Sequence, residues 1–429
     1  MLDRALRNDL FGRECRSTTP VGYADRGVIY TAAQGCWLST EDGRRWFDAT
    51  GGSGAVNLGH GHPIVNRAVH SQIDQLIHTG WNIGSRTRRE AGERLANFVP
   101  IEDAAIMPCV TGTEAIEAAT KIARAVTGRK SVVGFAHSYH GKTAGALALT
   151  WRSSFRTFVD LDPSHSLFLK APFDETSEPD SDRLVEEISD WFNVREKAKE
   201  LPAALIIEPI QVGEGILSPG KRFLSRLRKL CQEQGVLLIF DEIYTGFGRC
   251  GAPFMAGKLG VIPDIMVIGK ALANGFPIAA VVGRRHHMDV LPNGHHSATF
   301  AGHPVSWAAA EAVLGVMCDQ QPWEQANRSG RRLLKTLRDI ARNTPFMRAI
   351  RGEGLLIAFD CEDRAAPERG PELMQRVMAA CDLERIEIRG GGHRGNTIKL
   401  TPPLLMEDDD LWFLTTGLER ALARVMKEL

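Results

Sequence analysis

Three charged residues close apolar, strand-like runs in the middle of the sequence. Glu208 follows ALII, Asp241 follows VLLIF, and Lys270 stands just after IMVIG. A charge is costly in a core but useful outside the carboxyl end of a strand, where open parallel sheets bind ligands. For any one of the three, a strand surfacing into solvent explains the charge as well as a site does. Three in consecutive strand–helix units, with the Asp and the Lys on neighbouring units, favour a site. A carboxylate and an amine facing one crevice suit a lysine nucleophile with a partner that tunes a cofactor.

The segment Thr111-Gly112-Thr113-Glu114 opens a predicted helix. Free backbone N–H groups, a hydroxyl and the positive end of the helix dipole together suit a phosphate. The plainer account is a Thr N-cap with Glu in the first turn. Gly134–Thr143 (GFAHSYHGKT) ends like a nucleotide-binding loop, but Ala136 stands where that motif needs Gly, which excludes an NTPase reading. Tyr139-His140 falls in a predicted loop, where an aromatic ring can stack on a planar cofactor. His60 and His62 belong to no H-E-x-x-H motif, and the adjacent pairs His286-His287 and His295-His296 make poor joint ligands, since adjacent side chains on a strand or helix point apart. No metal site is expected.

The elements that must position these groups alternate. Ser131–Phe135, Ala204–Ile207, Val236–Phe240, Ile265–Ile268 and Ala279–Val282 are short Val/Ile-rich runs that suit strands buried on both faces. Between them, Gly112–Thr127 places Ala115, Ile116, Ala119, Ile122, Ala123 and Val126 on one helical stripe. Pro219–Gln234 does the same with Phe223, Leu227 and Leu230, and Gly235 is its stop. This alternation predicts an α/β fold with a mainly parallel sheet and right-handed crossovers. Residues 20–50 read as a strand meander turning at Glu41-Asp42-Gly43. Residues 320–429 mix amphipathic helices with short strands. A large domain over 51–310 and a small α+β domain from 1–50 and 311–429 are expected.

Composition excludes several classes. The 429 residues carry 52 Lys+Arg against 52 Asp+Glu, so there is none of the basic excess that nucleic-acid or membrane-surface binding calls for. The N-terminal MLDRALRNDLFGRE alternates charge with single apolar residues and has no apolar signal region. No uncharged apolar stretch approaches the roughly 18 residues of a membrane span. The eight cysteines form no C-x-x-C pair and read as reduced, mostly buried residues of a cytoplasmic protein.

Taken in order, these segments resemble the class III pyridoxal-phosphate-dependent aminotransferases, the ornithine, acetylornithine, 4-aminobutyrate and ω-amine transaminase group. The matching stretches are Asn57–Pro63 (NLGHGHP), Thr111–Ala115 (TGTEA), Tyr139–Thr143 (YHGKT), Glu208–Gln211 (EPIQ) and Leu238–Gly251 (LIFDEIYTGFGRCG). Pro263–Pro277 (PDIMVIGKALANGFP), Ser297–Pro304 (SATFAGHP) and Thr401–Leu404 (TPPL) complete the set. They span most of the chain.

The resemblance implies a type I fold, pyridoxal 5′-phosphate as cofactor, a homodimer with active sites at the interface, and ping-pong amino transfer between an amine or amino acid and an oxo acid or aldehyde. Lys270 matches the Schiff-base lysine, which also shuttles the substrate's Cα proton, and Asp241 matches the carboxylate on the pyridine nitrogen. The implied cofactor set is Gly112, Thr113, Tyr139, His140, Glu208, Asp241, Ile243, Tyr244, Lys270 and Thr299. Of these, Gly112 and Thr113 form the phosphate cradle, and Tyr139 and Ile243 flank the ring. Thr299 reaches the phosphate from the partner subunit. Tyr244 replaces a common Gln at the cofactor's phenolic oxygen. Trp37 and Trp81 are candidates for lining the substrate pocket. An aminomutase, racemase or epimerase of the same fold would need the same Lys270 and Asp241.

The sequence departs from the family at Val110-Thr111, where Asn-Ser is usual, and at His303, where Asn is usual. Many relatives grip a substrate carboxylate with an Arg before the final Pro-Pro-Leu and mask it with a Glu after Glu-Pro-x-Gln. Lys399 stands at the Arg position. Gly213 falls at the Glu position without a gap, and Glu214 with a one-residue shift. A lysine offers a point charge where arginine offers a bidentate fork, so looser carboxylate selection and a reduced role for 2-oxoglutarate are expected.

Overall fold

A computed structural model describes residues 28–159, 166–172 and 178–429. The N-terminal segment read above and Cys15 lie outside the described residues. Three strands open the described chain: β1 (Tyr30–Gln34), β2 (Trp37–Thr40) and β3 (Arg45–Asp48). The middle of the chain supplies β4 (Ala104–Cys109), β5 (Val132–Phe135), β6 (Leu167–Leu169), β7 (Ala204–Ile207), β8 (Leu237–Asp241), β9 (Ile265–Ile268) and β10 (Ala279–Arg284). The C-terminal part adds β11 (Met347–Glu353), β12 (Leu356–Cys361), β13 (Ile386–Glu387), β14 (Arg389–Gly391) and β15 (Thr397–Leu400).

The seven middle strands form one sheet in the order β4-β10-β9-β8-β7-β5-β6. From β9 to β6 all neighbours run parallel, and β10 is antiparallel to both β9 and β4. Residues 269–278 are too short to carry a helix back across the sheet, so the chain turns and returns antiparallel. Every residue of β5, β7, β8 and β9 is buried. Helix Gly112–Thr127 covers one face with Ala115, Ile116, Ala119, Ile122 and Ala123. It ends at Gly128, whose φ of 69° suits a residue without a Cβ. On the other face packs helix Gly220–Glu233, through Phe223, Leu224, Leu227 and Leu230.

Two four-stranded sheets flank this unit, in the orders β1-β2-β3-β13 and β11-β12-β15-β14. β13 pairs parallel with β3, which joins residues from both ends of the chain in one sheet. Helix Pro304–Gln320 is apolar nearly all round. It packs against helices Pro63–Gln75 and Arg86–Phe98 and against the short 3₁₀ turn Lys270–Ala273, giving the lysine a rigid support. Six of the seven described cysteines are buried. Among the described residues no helix is long and apolar enough to cross a membrane.

Candidate active site

The parallel strands deliver their carboxyl ends to one cavity of about 850 Å³. Glu208 follows β7, Asp241 ends β8, and Lys270 lies two residues beyond β9. Because Ile207 is in register with Phe240, and Asp241 with Val267, the three charges come out side by side. Glu242, the next residue after Asp241, turns the other way. Its carboxylate accepts from Thr245 Oγ1 and from the N–H groups of Met255 and Ala256, so it caps a short helix and takes no part in the cavity.

Asp241 Oδ2 lies 2.7 Å from His140 Nδ1, and its Oδ1 accepts from the Ile243 N–H at 3.1 Å. Both Asp241 and His140 are buried. Glu208 Oε1 accepts from Tyr139 N at 2.9 Å and its Oε2 from Val212 N at 3.1 Å, which ties the Tyr139 loop to the loop after β7. Burial pushes the Glu208 carboxyl up to about 7, opposed by His140 and these N–H groups and aided by Asp241. The Lys270 amine sits 4.6 Å from the centre of the Tyr244 ring. Desolvation lowers its pKa below the usual lysine range, while Asp241 and Glu208 pull the other way. The backbone of Lys270 has φ 42°, a left-handed value unusual for a side-chain-bearing residue and maintained by the packing around it.

Gly112 and Thr113 line the cavity at the start of their helix. Thr111 caps it by accepting from Glu114 N, and Glu114 accepts in turn from Val110 N. The plain N-cap account is therefore right for Thr111, while the next two residues face the cavity. A Cβ on Gly112 would stand 2.8 Å from Ile243 Cδ1, so only glycine lets Ile243 come this close. Thr113 Oγ1 bonds Thr143 Oγ1 at 2.7 Å. Tyr139, Ile243 and Tyr244 also line the cavity. The Tyr244 hydroxyl is engaged by Thr401 Oγ1 at 3.2 Å, and its ring fills the space beside Gly54, where a Cβ would come within 2.5 Å.

In the same cavity, Lys399 on β15 stands opposite Arg389 on β14. The Lys399 amine is placed 3.5 Å from the Gly213 carbonyl, and burial lowers its pKa. Gly213 and Glu214 both reach the cavity. Glu214 Oε2 is bound by Arg152 Nη2 at 2.6 Å, and the same Nη2 donates to Gly392 O at 3.0 Å. Arg152 was not expected from the sequence: nothing local marks it, and only the fold brings residues 152, 214, 392 and 399 together.

Three candidates lie elsewhere. Trp37 does not line the cavity, contrary to expectation. Its Nε1 donates to Asp410 Oδ1 at 2.8 Å and its ring packs on Phe47 and Phe413, which fixes it between the first sheet and the C-terminal helix. Trp81 and Thr299 are exposed and outside the cavity of their own chain. Two further motif residues hold the framework. The buried Arg249 guanidinium binds Asn57 Oδ1, Leu355 O and Pro402 O, and Asn274 bonds the backbone of Leu58 and Gly59. Cys109, Glu114 and His296 gather beside the Gly112 helix, but Lys121 Nζ is 3.4 Å from His296 Nδ1 and would repel a cation there.

The family model described as aminotransferase class-III matches residues 18–422. The chain is 33% identical over 384 residues to the 5-aminovalerate aminotransferase DavT of Pseudomonas putida, covering 89% of this chain and 90% of that one. It is 34% identical over 392 residues to the 4-aminobutyrate aminotransferase GabT of Escherichia coli, covering 90% of each. Among solved structures, an amine transaminase from an uncultivated Pseudomonas species in its PLP-bound form superposes with a TM-score of 0.86 at 27% identity, over 96% of this chain and 99% of that one. All three transfer amino groups by name, which favours transamination over the isomerase alternative.

Proposed function

The chain belongs to the class III aminotransferases, a pyridoxal-phosphate-dependent family that moves amino groups between amines or amino acids and oxo acids or aldehydes, and from that premise we propose how its own residues divide the work. The carrying observation is the shared cavity in which the Lys270 amine faces the buried Asp241–His140 pair.

The residues present fit the cofactor. Gly112 leaves open the helix N-terminus, where backbone N–H groups with the Thr113 hydroxyl receive a phosphate. Asp241, held by His140 and the Ile243 N–H, offers a fixed negative charge to the pyridine nitrogen. Ile243 and Tyr139, both lining the cavity, would hold the ring between them. When bound, pyridoxal phosphate supplies an electron sink for the pair left on the substrate's Cα. Lys270 carries the cofactor and, once released, moves the proton at that carbon. Desolvation lowers the pKa of its amine, which favours the uncharged, basic form this role needs. Tyr244 positions Lys270 through its ring, and Glu208 holds the Tyr139 loop. Lys399, also lining the cavity, takes a substrate carboxylate.

The site is completed by a second copy of the chain. Trp81, Ile83 and Phe300 are exposed by 40%, 59% and 58%, far more than such side chains usually are. They adjoin one another, because Arg88 donates to the carbonyls of Trp81 and Ile83 and lies against Gly302. Thr299, the residue before Phe300, is exposed as well. A homodimer through this face would bring Thr299 to the phosphate of the second subunit, with residues 51–310 as the large unit and 1–50 with 311–429 as the small one. The test is a panel of amines and amino acids mixed with the purified holoenzyme, read by the change in cofactor absorbance and by oxo product. Amino transfer gives stoichiometric oxo product and consumes pyruvate or 2-oxoglutarate in the return half-reaction. Loss of optical activity without an acceptor would overturn it.

A further inference from the structure

Three carboxylates line the cavity, and two are committed. Asp241 is held by His140 and the Ile243 N–H, and Glu208 by two backbone N–H groups. The third, Glu214, is 3% exposed and lies beside Lys399, whose amine touches the carbonyl of the preceding residue, Gly213. A half-buried lysine and a buried glutamate this close would ordinarily pair, because each lowers the other's desolvation cost. They do not pair here. Glu214 is taken by Arg152, and its backbone carbonyl is tied to the His393 N–H at 3.0 Å. Arg152 is anchored from the other side by Gly392 O and lies 5.3 Å from the centre of the Phe155 ring. Among the described residues Lys399 forms no ion pair.

We propose that Arg152 is the residue that sets substrate class: by holding Glu214 it keeps that carboxylate off Lys399 and reserves the Lys399 ammonium for a carboxylate on the substrate. The arrangement stays the same in both half-reactions, so amino donor and acceptor alike carry a carboxylate, and amines without one bind poorly because they cover the half-buried Lys399 without giving it a counter-charge. This rests on reading the cavity as the amino-transfer site. Arg152 borders the same cavity and acts here through Glu214, as a positioning residue.

The test uses butyrate, an unreactive carboxylate, bound to the holoenzyme and followed by calorimetry, alongside steady-state kinetics with alanine and with isopropylamine, which replaces the carboxylate by a methyl group. Arg152→Ala frees Glu214 to pair with Lys399. Butyrate affinity should fall by about tenfold or more, the scale of one charge interaction in a partly desolvated site. The KM for alanine should rise while kcat holds within roughly threefold. Adding Glu214→Gln to Arg152→Ala should restore butyrate affinity, and Arg152→Lys should largely keep it. Glu214→Gln alone, which leaves Arg152 in place, should change butyrate affinity little. Unchanged affinity in Arg152→Ala, or a loss that Glu214→Gln does not repair, would overturn the proposal, as would a large gain in Glu214→Gln alone. Wild-type enzyme that transfers no amino group from either compound, or whose cofactor is not on Lys270, would instead overturn the reading of the site, because butyrate binding is measured without turnover.

Discussion

His140 Nδ1 lies 2.7 Å from Asp241 Oδ2, while His140 Nε2, equally buried, has no partner among the described residues. An ionised carboxylate only accepts, so the proton sits on Nδ1 and the imidazole braces the charge of Asp241 without removing it. Asp241→Asn should therefore leave the fold intact and lower turnover by about 10²–10³, the usual weight of one preorganised charge. His140→Ala removes one hydrogen bond to a charged group, about 1.5–3 kcal/mol, so a loss of roughly 10–100-fold is expected. Near-normal turnover in Asp241→Asn would mean that the carboxylate does not act on the cofactor.

Gly112→Ala probes the phosphate end. The new Cβ would meet Ile243 Cδ1 at 2.8 Å and push that side chain into the space assigned to the ring. Cofactor dissociation, followed by absorbance during dialysis, should become about tenfold stronger, or ~1.4 kcal/mol. Unchanged retention would remove Ile243 from contact with the ring.

Burial holds the Glu208 and Glu242 carboxyls up to about 7, against a usual 4.5. Between these values the folded protein keeps protons that the unfolded chain has released, so stability falls as pH rises from about 4.5 to about 7 and then levels off. Glu208→Gln removes one of the two contributions. Its unfolding free energy relative to wild type should drift in the variant's favour between pH 5 and 7.5, by about 3 kcal/mol at most. Denaturant titrations at the two pH values check this, and a difference that does not vary with pH would show that Glu208 ionises normally.

Thr299→Ala should weaken cofactor retention, and dilution that separates the subunits should release cofactor even from wild type. Activity per chain that is constant down to monomeric concentrations, measured with sedimentation on the same samples, would contradict a shared site.

The chemistry was legible where it sat at strand ends. Ala204–Ile207 and Ile265–Ile268 are buried on both faces and have the bounds expected from their apolar runs, so Glu208 and Lys270 could be placed from sequence. Strand β4 was missed because Pro108 and its mixed burial hide the pattern, and β6 because its three residues are held only by pairing with β5. The antiparallel return of β10 follows from a connection too short for a crossover, a length readable in the sequence. Trp37 misled because an aromatic side chain carries no address: Asp410, distant in sequence, decides where it goes. Arg152 was silent for the same reason, since its role exists only after Glu214 and Gly392 have been brought to it.

The most direct measurement is the position of the cofactor on the chain. The holoenzyme is reduced with borohydride, digested, and the labelled peptide sequenced by mass spectrometry. The account predicts one pyridoxyl label, on the Nζ of Lys270 within PDIMVIGKALANGFP, and none in Lys270→Ala, which also loses turnover. A label on another lysine, Lys399 included, or full turnover in Lys270→Ala would contradict it.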